Sequence, residues 1–358
     1  MGASFRNRFF LDIRKDIKLE RSEFIARLEG LDRIQVRAEE FADISKENWK
    51  LFKEIYAIRP NIPFRIFAGI NFDISKIIHF DFLQNITIEI SGNIKNLKLL
   101  KSFPELTSLS IISDKIDDLE FLKSLNNLKE FRLSQSSKRT KNIDLFPISH
   151  LKDLTLLSLS GYDKNLMNLF NNLNKLETLH LKSISSVKSL DFISHIQTLK
   201  KIIIQLGGIY ELSTLEKLKN VQYLQLWRIN KLEDISFISN MTNLQFINLE
   251  TLNKIEKFPS IINLTKLRRI LVASCKNMID FKALNSSKSL EDFIYQNAKN
   301  QQVSDFLPVI TNPQIRNIGI GFPRVSEQKI IERLFSENQK SGMTHQYPSF
   351  KEEFIYAE

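Results

Sequence analysis

The feature that most constrains this chain is a sequence repeat with a spacing of 22 to 26 residues. Its unit is the pattern Leu-x-x-Leu-x-Leu, in which other apolar residues replace some of the leucines. The clearest copies begin at residues 154, 176, 199, 221, 244 and 267, and weaker copies begin at 83, 106, 128, 290 and 315. Each coil of a stacked repeat must follow the same path to bring its strand beside the preceding one. This spacing therefore predicts a solenoid of about eleven repeats.

Each repeat has two halves with different periodicities. In the first half, alternation such as Leu179-His180-Leu181 is typical of a strand with one buried face, so we expect one parallel sheet. In the second half, equivalent apolar residues recur at Leu119, Leu190 and Ile235, followed by further apolar residues about three positions on. That spacing predicts a short 3₁₀ or helical segment that packs back on the strand.

One segment carries a family resemblance. Residues 234–244 read Asp-Ile-Ser-Phe-Ile-Ser-Asn-Met-Thr-Asn-Leu, which is similar to the convex half and following strand of bacterial leucine-rich-repeat proteins, particularly the internalin-like repeat of 22 or 23 residues. The likeness extends over roughly residues 83 to 322. It implies an α/β leucine-rich-repeat solenoid, curved, with the parallel sheet on its concave side. It says little about function, because such repeats serve unrelated partners.

The chain departs from this family at the turn after each strand. The family usually carries Asn three residues after the last strand leucine, where its amide bonds the backbone of the turn. The residues at that position in this chain are Ser91, Asp114, Ser136, Tyr162, Ile184, Gly207, Ile229, Leu252, Cys275 and Ala298. Since the apolar replacements cannot bond a turn, we expect its backbone groups to find other partners.

Residues 1–80 do not follow the repeat, and their apolar spacing predicts a helical N-terminal region. The residues with helical spacing are Ile13, Ile17, Phe24, Leu28 and Leu31 in a first stretch, and Trp49, Phe52 and Tyr56 in a second that starts near Ser45. One interpretation is a cap that shields the first coil of the solenoid at residues 81–322. The alternative is a separate effector or partner-binding module.

Residues 323–358 are predicted to form a C-terminal cap. Phe322-Pro323-Arg324 interrupts the repeat, and Ser326 is placed to cap a helix. The apolar residues of that helix are Ile330, Ile331, Leu334 and Phe335. A last stretch carries Tyr347, Phe350, Phe354 and Tyr356, so we expect it to dock on the last coil.

The residue types of known active sites are scarce or scattered. Cys275 falls at the inward-pointing position of its repeat, which favours a buried thiol over a nucleophile. Gly207-Gly208 follows a strand without the Lys and Ser or Thr of a phosphate-binding loop. The histidines lack metal-ligand spacing, and residues 1–80 contain no cysteine and a single histidine, His79. The sequence thus predicts a protein that is not an enzyme and has no cofactor or metal.

Charge and segment composition limit the partner and the compartment. The net charge is +10, which permits nucleic-acid binding as an alternative, but Lys and Arg are dispersed among Asp and Glu. The densest basic run, Lys138-Arg139-Thr140-Lys141, lies in a predicted loop. A single cysteine, no apolar run of membrane-spanning length and no secretory signal predict a cytoplasmic protein that is not embedded in a membrane.

The exposed face of the strands is the predicted binding site. In the middle repeats, alternate positions place Tyr223, Trp227 and Phe246 on that concave face, and aromatic residues flanked by charge are typical of interface hot spots. The remaining candidates are His180, Lys182, Lys201, Gln225, Asn248, Glu250 and Arg269. The sequence predicts that another protein binds there. In the more specific form of this prediction, the chain is an inhibitor or an immunity protein. An intramolecular segment covering the aromatic residues is the alternative.

Overall fold

The computed structural model describes residues 9–13, 28–69, 71–135 and 143–342. The chain divides into two compact units, Met1–Ser186 and Val187–Glu358, named unit 1 and unit 2. Each unit repeats the same path, in which a short strand is followed by a turn and most often by a 3₁₀ segment.

In unit 1, the described residues form a parallel sheet of order β1-β2-β3-β5-β7-β8-β9-β10. A separate pair, β4 and β6, is also parallel. The strand bounds are β1 Phe9–Ile13, β2 Leu31–Arg37, β3 Phe64–Ala68, β4 Phe72–Asp73, β5 Asn85–Ile90, β6 Ile94–Lys95, β7 Ser108–Ile112, β8 Glu130–Ser134, β9 Leu156–Ser160 and β10 Thr178–Ile184. The helices are α1 Lys46–Ile58 and α2 Leu166–Leu169.

In unit 2, the strands follow one another in chain order, and each pairs parallel with the next. They are β11 Lys201–Gly207, β12 Tyr223–Trp227, β13 Phe246–Glu250, β14 Arg269–Ala273, β15 Asp292–Gln296, β16 Asn317–Ile320 and β17 Ser341–Gly342. The helices are α3 Leu307–Ile310 and α4 Val325–Glu337. The parallel sheet and the predicted repeat are confirmed in both units.

The second half of the repeat is a 3₁₀ segment, as predicted. Glu120–Ser124, Asp191–Ile193 and Ser236–Asn240 occupy the expected positions. Several of these segments begin after an aspartate whose carboxylate accepts a backbone N–H two residues on, as Asp118, Asp144, Asp234 and Asp280 do at 2.8 to 3.0 Å. The leucines and isoleucines between the sheet and these segments are buried and form the core of each unit.

The turns find other backbone partners in place of the missing asparagine, as expected. In unit 1, the buried Tyr162 hydroxyl donates to the Ser113 carbonyl at 2.7 Å. In unit 2, Tyr295 and Gln301 donate to the Cys275 carbonyl at 2.8 and 3.2 Å. Side chains from different repeat positions thus supply bonds that one repeated amide would give.

Residues at strand ends share a left-handed backbone conformation. In unit 2 these include Arg228, Thr251, Ser274 and Asn297, with φ between 51° and 62°. This region is costly for residues other than glycine, above all for a β-branched threonine. The first three residues donate an N–H to a carbonyl of the neighbouring coil at 2.8 to 3.0 Å, so the stacking of coils holds the turn.

The N-terminal prediction is right for one helix and wrong for Ile13 and Leu31. Helix α1 is present, and the Ser45 hydroxyl accepts the N–H of Asn48 at its start. However, Ile13 ends strand β1, and Leu31 begins strand β2 of the same sheet as the repeats. Ile17 and Phe24 lie outside the described residues. The sheet therefore starts before residue 81, because alternation such as Ile34-Gln35-Val36 buries one face in the manner of the repeats.

A helix is present in the C-terminal region, and its role as a cap stays a prediction. Helix α4 begins at Val325, so Arg324 rather than Ser326 occupies the N-cap position. Its Ile331 and Phe335 are buried, whereas Ile330 is exposed. A further strand, β17, pairs with Asn317 and Ile318 and was not predicted. The aromatic stretch 347–356 and the basic run 138–141 lie outside the described residues.

Candidate interaction surface

The sheet of unit 2 arranges its outward side chains in rows, as the repeat predicts. Residues paired across adjacent strands stand side by side, and residues two apart on a strand share a face. This face, on which the alternate positions of β11 to β16 lie, is named the open face. The first row is Lys201, Tyr223, Phe246, Arg269, Asp292 and Asn317; the second is Ile203, Gln225, Asn248, Leu271, Ile294 and Gly319; the third is Gln205, Trp227, Glu250, Ala273 and Gln296.

Tyr223 and Phe246 form a stacked pair in the first row. Their ring centroids are 5.0 Å apart with an interplanar angle of 3°. The Lys201 ammonium lies 4.7 Å from the Tyr223 ring centroid, and the Tyr223 hydroxyl donates to Gln225 at 2.9 Å. Only 5% of Tyr223 and 6% of Phe246 is exposed. The two rings are adjacent, as predicted, but both are buried, so the prediction that they form an exposed anchor is wrong.

The first row continues into an ion pair. Arg269 Nε lies 2.8 Å from Asp292 Oδ2, and Asn317 donates to Asp292 Oδ1 at 2.7 Å. Both charged side chains are largely buried, at 11% and 12% exposure. Arg269 therefore balances a carboxylate of its own chain, which sequence reasoning did not identify. The signal was available, since Asp292 occupies the next position of the same row.

Trp227 does not join this aromatic pair. It stands in the third row, directly between Gln205 and Glu250. It lies four positions after Tyr223 on the same strand, a distance of about 13 Å at the usual rise per residue. Trp227 therefore shares the face of Tyr223 and Phe246, as predicted, but lies apart from their stacked pair. Trp227 is half-buried and keeps part of its surface open to solvent.

Glu250 gives the third row a partly buried carboxylate. Partial burial raises the pKa of Glu250 above the ordinary value. Within the described part of the chain, no lysine or arginine lies within ion-pair distance of it. In the second row, the side-chain oxygen Oδ1 of neighbouring Asn248 is buried without a hydrogen-bond partner among those residues. A half-buried indole and a partly desolvated carboxylate thus stand side by side.

Two of the predicted site residues belong to unit 1. His180 and Lys182 lie on β10, on the face where Ser158 and Ser160 stand opposite them. His180 Nδ1 is 3.1 Å from the Ser158 hydroxyl. Both side chains are half-buried. Their role in binding stays a prediction.

Cys275 is a core residue, as predicted. It is fully buried, and its sulfur accepts the Leu252 N–H at 3.4 Å. Burial raises the pKa of the thiol to about 11, which keeps it protonated near neutral pH. The residues that the structure describes contain no group of three or more side chains able to hold a metal ion. None of their helices combines the length and apolar character needed to cross a membrane.

Sequence reasoning also missed an arginine-rich area in unit 1. The guanidinium carbons of Arg37 and Arg65 lie 5.6 and 4.6 Å from the centroid of the Phe67 ring. The alternation Arg33-x-Gln35-x-Arg37 would have placed these residues on the outward face had the segment been identified as a strand.

Comparison with known proteins supports the fold and little else. No model of a known protein family matches the chain, and no curated protein matches it either. Among solved structures, an internalin from Listeria monocytogenes aligns with a TM-score of 0.54 at 18% identity over 80% of each chain. A structure of the Drosophila Toll–Spatzle complex aligns with a TM-score of 0.56 at 12% identity, covering 88% of this chain and 43% of that one. A Leptospira interrogans leucine-rich-repeat protein aligns over 96% of each chain at 17% identity, with a TM-score of 0.44.

The two alignments with TM-scores above 0.5 and the repeated coils together define a leucine-rich-repeat fold. Within that class, the internalin is a neighbour that matches both chains over most of their length. At this identity the likeness carries the fold alone.

Proposed function

We propose that this chain is a non-catalytic, cytoplasmic protein-binding module whose partner docks on the open face of unit 2. The observation that carries the proposal is the pairing of Trp227 with Glu250 in the third row. A large aromatic side chain that is already half-buried loses little conformational freedom on binding and offers much apolar area.

The residues of the first row contribute to the rigidity of the face but gain little from binding the partner. Tyr223 and Phe246 are buried and stacked, and Arg269 is paired with Asp292. These groups gain little from a partner because their surfaces and charges are already satisfied. The row supplies a rigid base on which Trp227 is presented.

The charge of the third row favours a basic side chain of the partner at this point. Covering Glu250 further would cost free energy unless the partner supplies a cation. A lysine or arginine placed over the Trp227 ring would satisfy the carboxylate and add a cation–π contact. A phosphate backbone would instead meet Glu250 and an arginine that is already paired, which disfavours nucleic acid on this face.

The experiment compares three variants of the full chain in proximity cross-linking followed by affinity measurement with the captured protein. Trp227→Ala and Glu250→Gln should each weaken binding, the first by about 2 kcal/mol. The matched control is Ile262→Ala, which removes an apolar side chain that is 60% exposed and lies outside the strands. Equal loss with the control, or none with Trp227→Ala, would contradict the proposed site.

The finer form of the proposal is an inhibitor, such as an immunity protein that blocks a toxin. It predicts that the captured partner has an activity of its own. The wild-type chain should abolish that activity, and the Trp227→Ala variant should leave it intact. A partner whose activity is unchanged in the complex would leave the binding module without the inhibitory role.

A further inference from the structure

A cavity of about 280 Å³ lies on the outward face of unit 1, at the carboxyl ends of β2, β3 and β5. In-register pairing brings Arg37, Phe67, Glu89 and Ile112 into one row along its floor. Glu39 and Gly69 complete its rim. At roughly 30 Å³ for each water molecule, the volume suits one polar side chain and a few waters.

A second arginine on the same face, Arg65, bonds the cavity residue Glu89 and is fully engaged. Arg65 bonds Glu89 Oε2 through Nε and a terminal nitrogen at 2.9 and 2.6 Å. Its other terminal nitrogen donates to Gln35 Oε1 at 2.9 Å. The charge of Arg65 is therefore balanced by Glu89, and its position is fixed by three hydrogen bonds.

Arg37 is different. Its guanidinium lies 5.6 Å from the centroid of the Phe67 ring, and the side chain is exposed. Within the described residues, no acceptor or carboxylate lies within bonding distance of that guanidinium. Contact with the ring restricts the side chain, so its planar donors are partly organised for a ligand before one arrives.

We infer that this cavity receives one acidic side chain of a protein partner, whose carboxylate forms a two-bond pair with Arg37 above the Phe67 ring. A single carboxylate matches the paired donors of one guanidinium. Nucleic acid fits less well, because a phosphate backbone needs a series of uncompensated cations, and Glu89 and Glu39 stand beside the only such group at this cavity in the described residues. The site is in unit 1, so it is independent of the proposed site at Trp227.

The test uses the full-length chain and a fluorescein-labelled hexaglutamate peptide, with binding followed by fluorescence polarisation at low salt. Arg37→Gln should weaken binding about tenfold, because charge-assisted hydrogen bonds are lost. Arg132→Gln is the matched control, since it removes the same charge from the same face, where Arg132 pairs with Glu130 at 2.9 Å. Its binding should stay within twofold of wild type.

Two further variants test the cavity itself. A side chain added at Gly69 meets no atom within 4 Å of its Cβ, so Gly69→Trp should fill the space without unfolding the protein, which a melting curve verifies. It should weaken hexaglutamate binding as much as Arg37→Gln does. Glu39→Gln should strengthen binding, because it removes a like charge from the rim.

The outcomes separate the possibilities. Equal loss in Arg37→Gln and Arg132→Gln would mean that only net charge attracts the peptide and would overturn the inference. Unchanged binding in folded Gly69→Trp would do the same. A twelve-base-pair DNA duplex that binds more tightly than hexaglutamate, with the same loss in Arg37→Gln, would assign the site to nucleic acid. Trp227→Ala should leave hexaglutamate binding unchanged, so failure here and failure of the proposed function remain distinguishable.

Discussion

The stacked pair in the first row should contribute to stability rather than to partner binding. Phe246 is 6% exposed and stacks on Tyr223 with centroids 5.0 Å apart. Truncation of a buried phenylalanine to alanine costs about 3 to 5 kcal/mol in protein interiors. A stacked aromatic pair is worth about 0.5 to 1.5 kcal/mol beyond the burial of its area. Because this ring lies on a sheet face, we expect the lower end. Phe246→Ala should therefore reduce the free energy of unfolding by about 3 kcal/mol.

The assay is urea unfolding followed separately in the two units. The chain has two tryptophans, Trp49 in unit 1 and Trp227 in unit 2. In a Trp49→Phe background the fluorescence reports unit 2 alone, which matters because repeat proteins need not unfold in one step. A double-mutant cycle of Tyr223→Ala and Phe246→Ala should give a coupling energy of about 1 kcal/mol.

Trp227→Ala is the comparison that makes this prediction refutable. Since its side chain is only half-buried, we expect circular dichroism to detect a loss of about 1 kcal/mol or less. A loss under about 1 kcal/mol for Phe246→Ala together with a larger loss for Trp227→Ala would reverse the roles of the two rows. The binding site would then have to be sought at Tyr223 and Phe246.

Three other predictions concern buried polar groups. Because burial raises the Cys275 pKa to about 11, a thiol reagent at pH 8 should label the native chain on the order of a hundredfold more slowly than the urea-unfolded chain. The stability that the protonated thiol contributes should be lost as the pH rises from about 8.5 towards about 11. Rapid labelling of the native chain would refute the assignment of Cys275 to the core. Arg269→Gln should cost about 2 kcal/mol in urea unfolding, because it leaves the Asp292 carboxylate with Asn317 alone; an unchanged midpoint would show that water replaces the pair. Asp163→Ala should cost about 2 kcal/mol, because it removes the acceptor for the backbone N–H groups of Ser185 and Ser186; Asp163→Asn, which keeps one acceptor, should cost less.

The repeat was predictable because it depends on local alternation and a constant spacing. The strand positions at Leu179 and Leu224 and the 3₁₀ segments after Asp118 and Asp234 follow from patterns within about ten residues of the chain. The first strands were not predictable in this way. Between Leu31 and Phe64 the spacing changes and helix α1 intervenes, so β2 and β3 have no neighbouring copy that reveals their register.

The sequence predicted on which face of the sheet the candidate site lies, but not how exposed its aromatic side chains are. Alternation placed Tyr223, Trp227 and Phe246 on the outward side, and the sheet confirms that placement. Whether an outward ring is covered depends on its lateral neighbours, which come from coils 22 or 23 residues away. Lys201 reaches the Tyr223 ring, whereas Gln205 and Glu250 leave Trp227 half-open. Tyr223 and Phe246 are buried and Trp227 is half-buried, although all three lie on the same face.

This distinction has a physical basis in how a parallel sheet satisfies its side chains. Within a row, neighbours about 4.8 Å apart can pair charges and stack rings, so complementary residues in a row satisfy one another's interactions. The first row does so from Lys201 to Asn317. The third row leaves the Glu250 carboxylate without a cation among the described residues. A partner gains most free energy where it completes an interaction that the row lacks, and for this reason the proposed binding site is centred on Trp227 and Glu250.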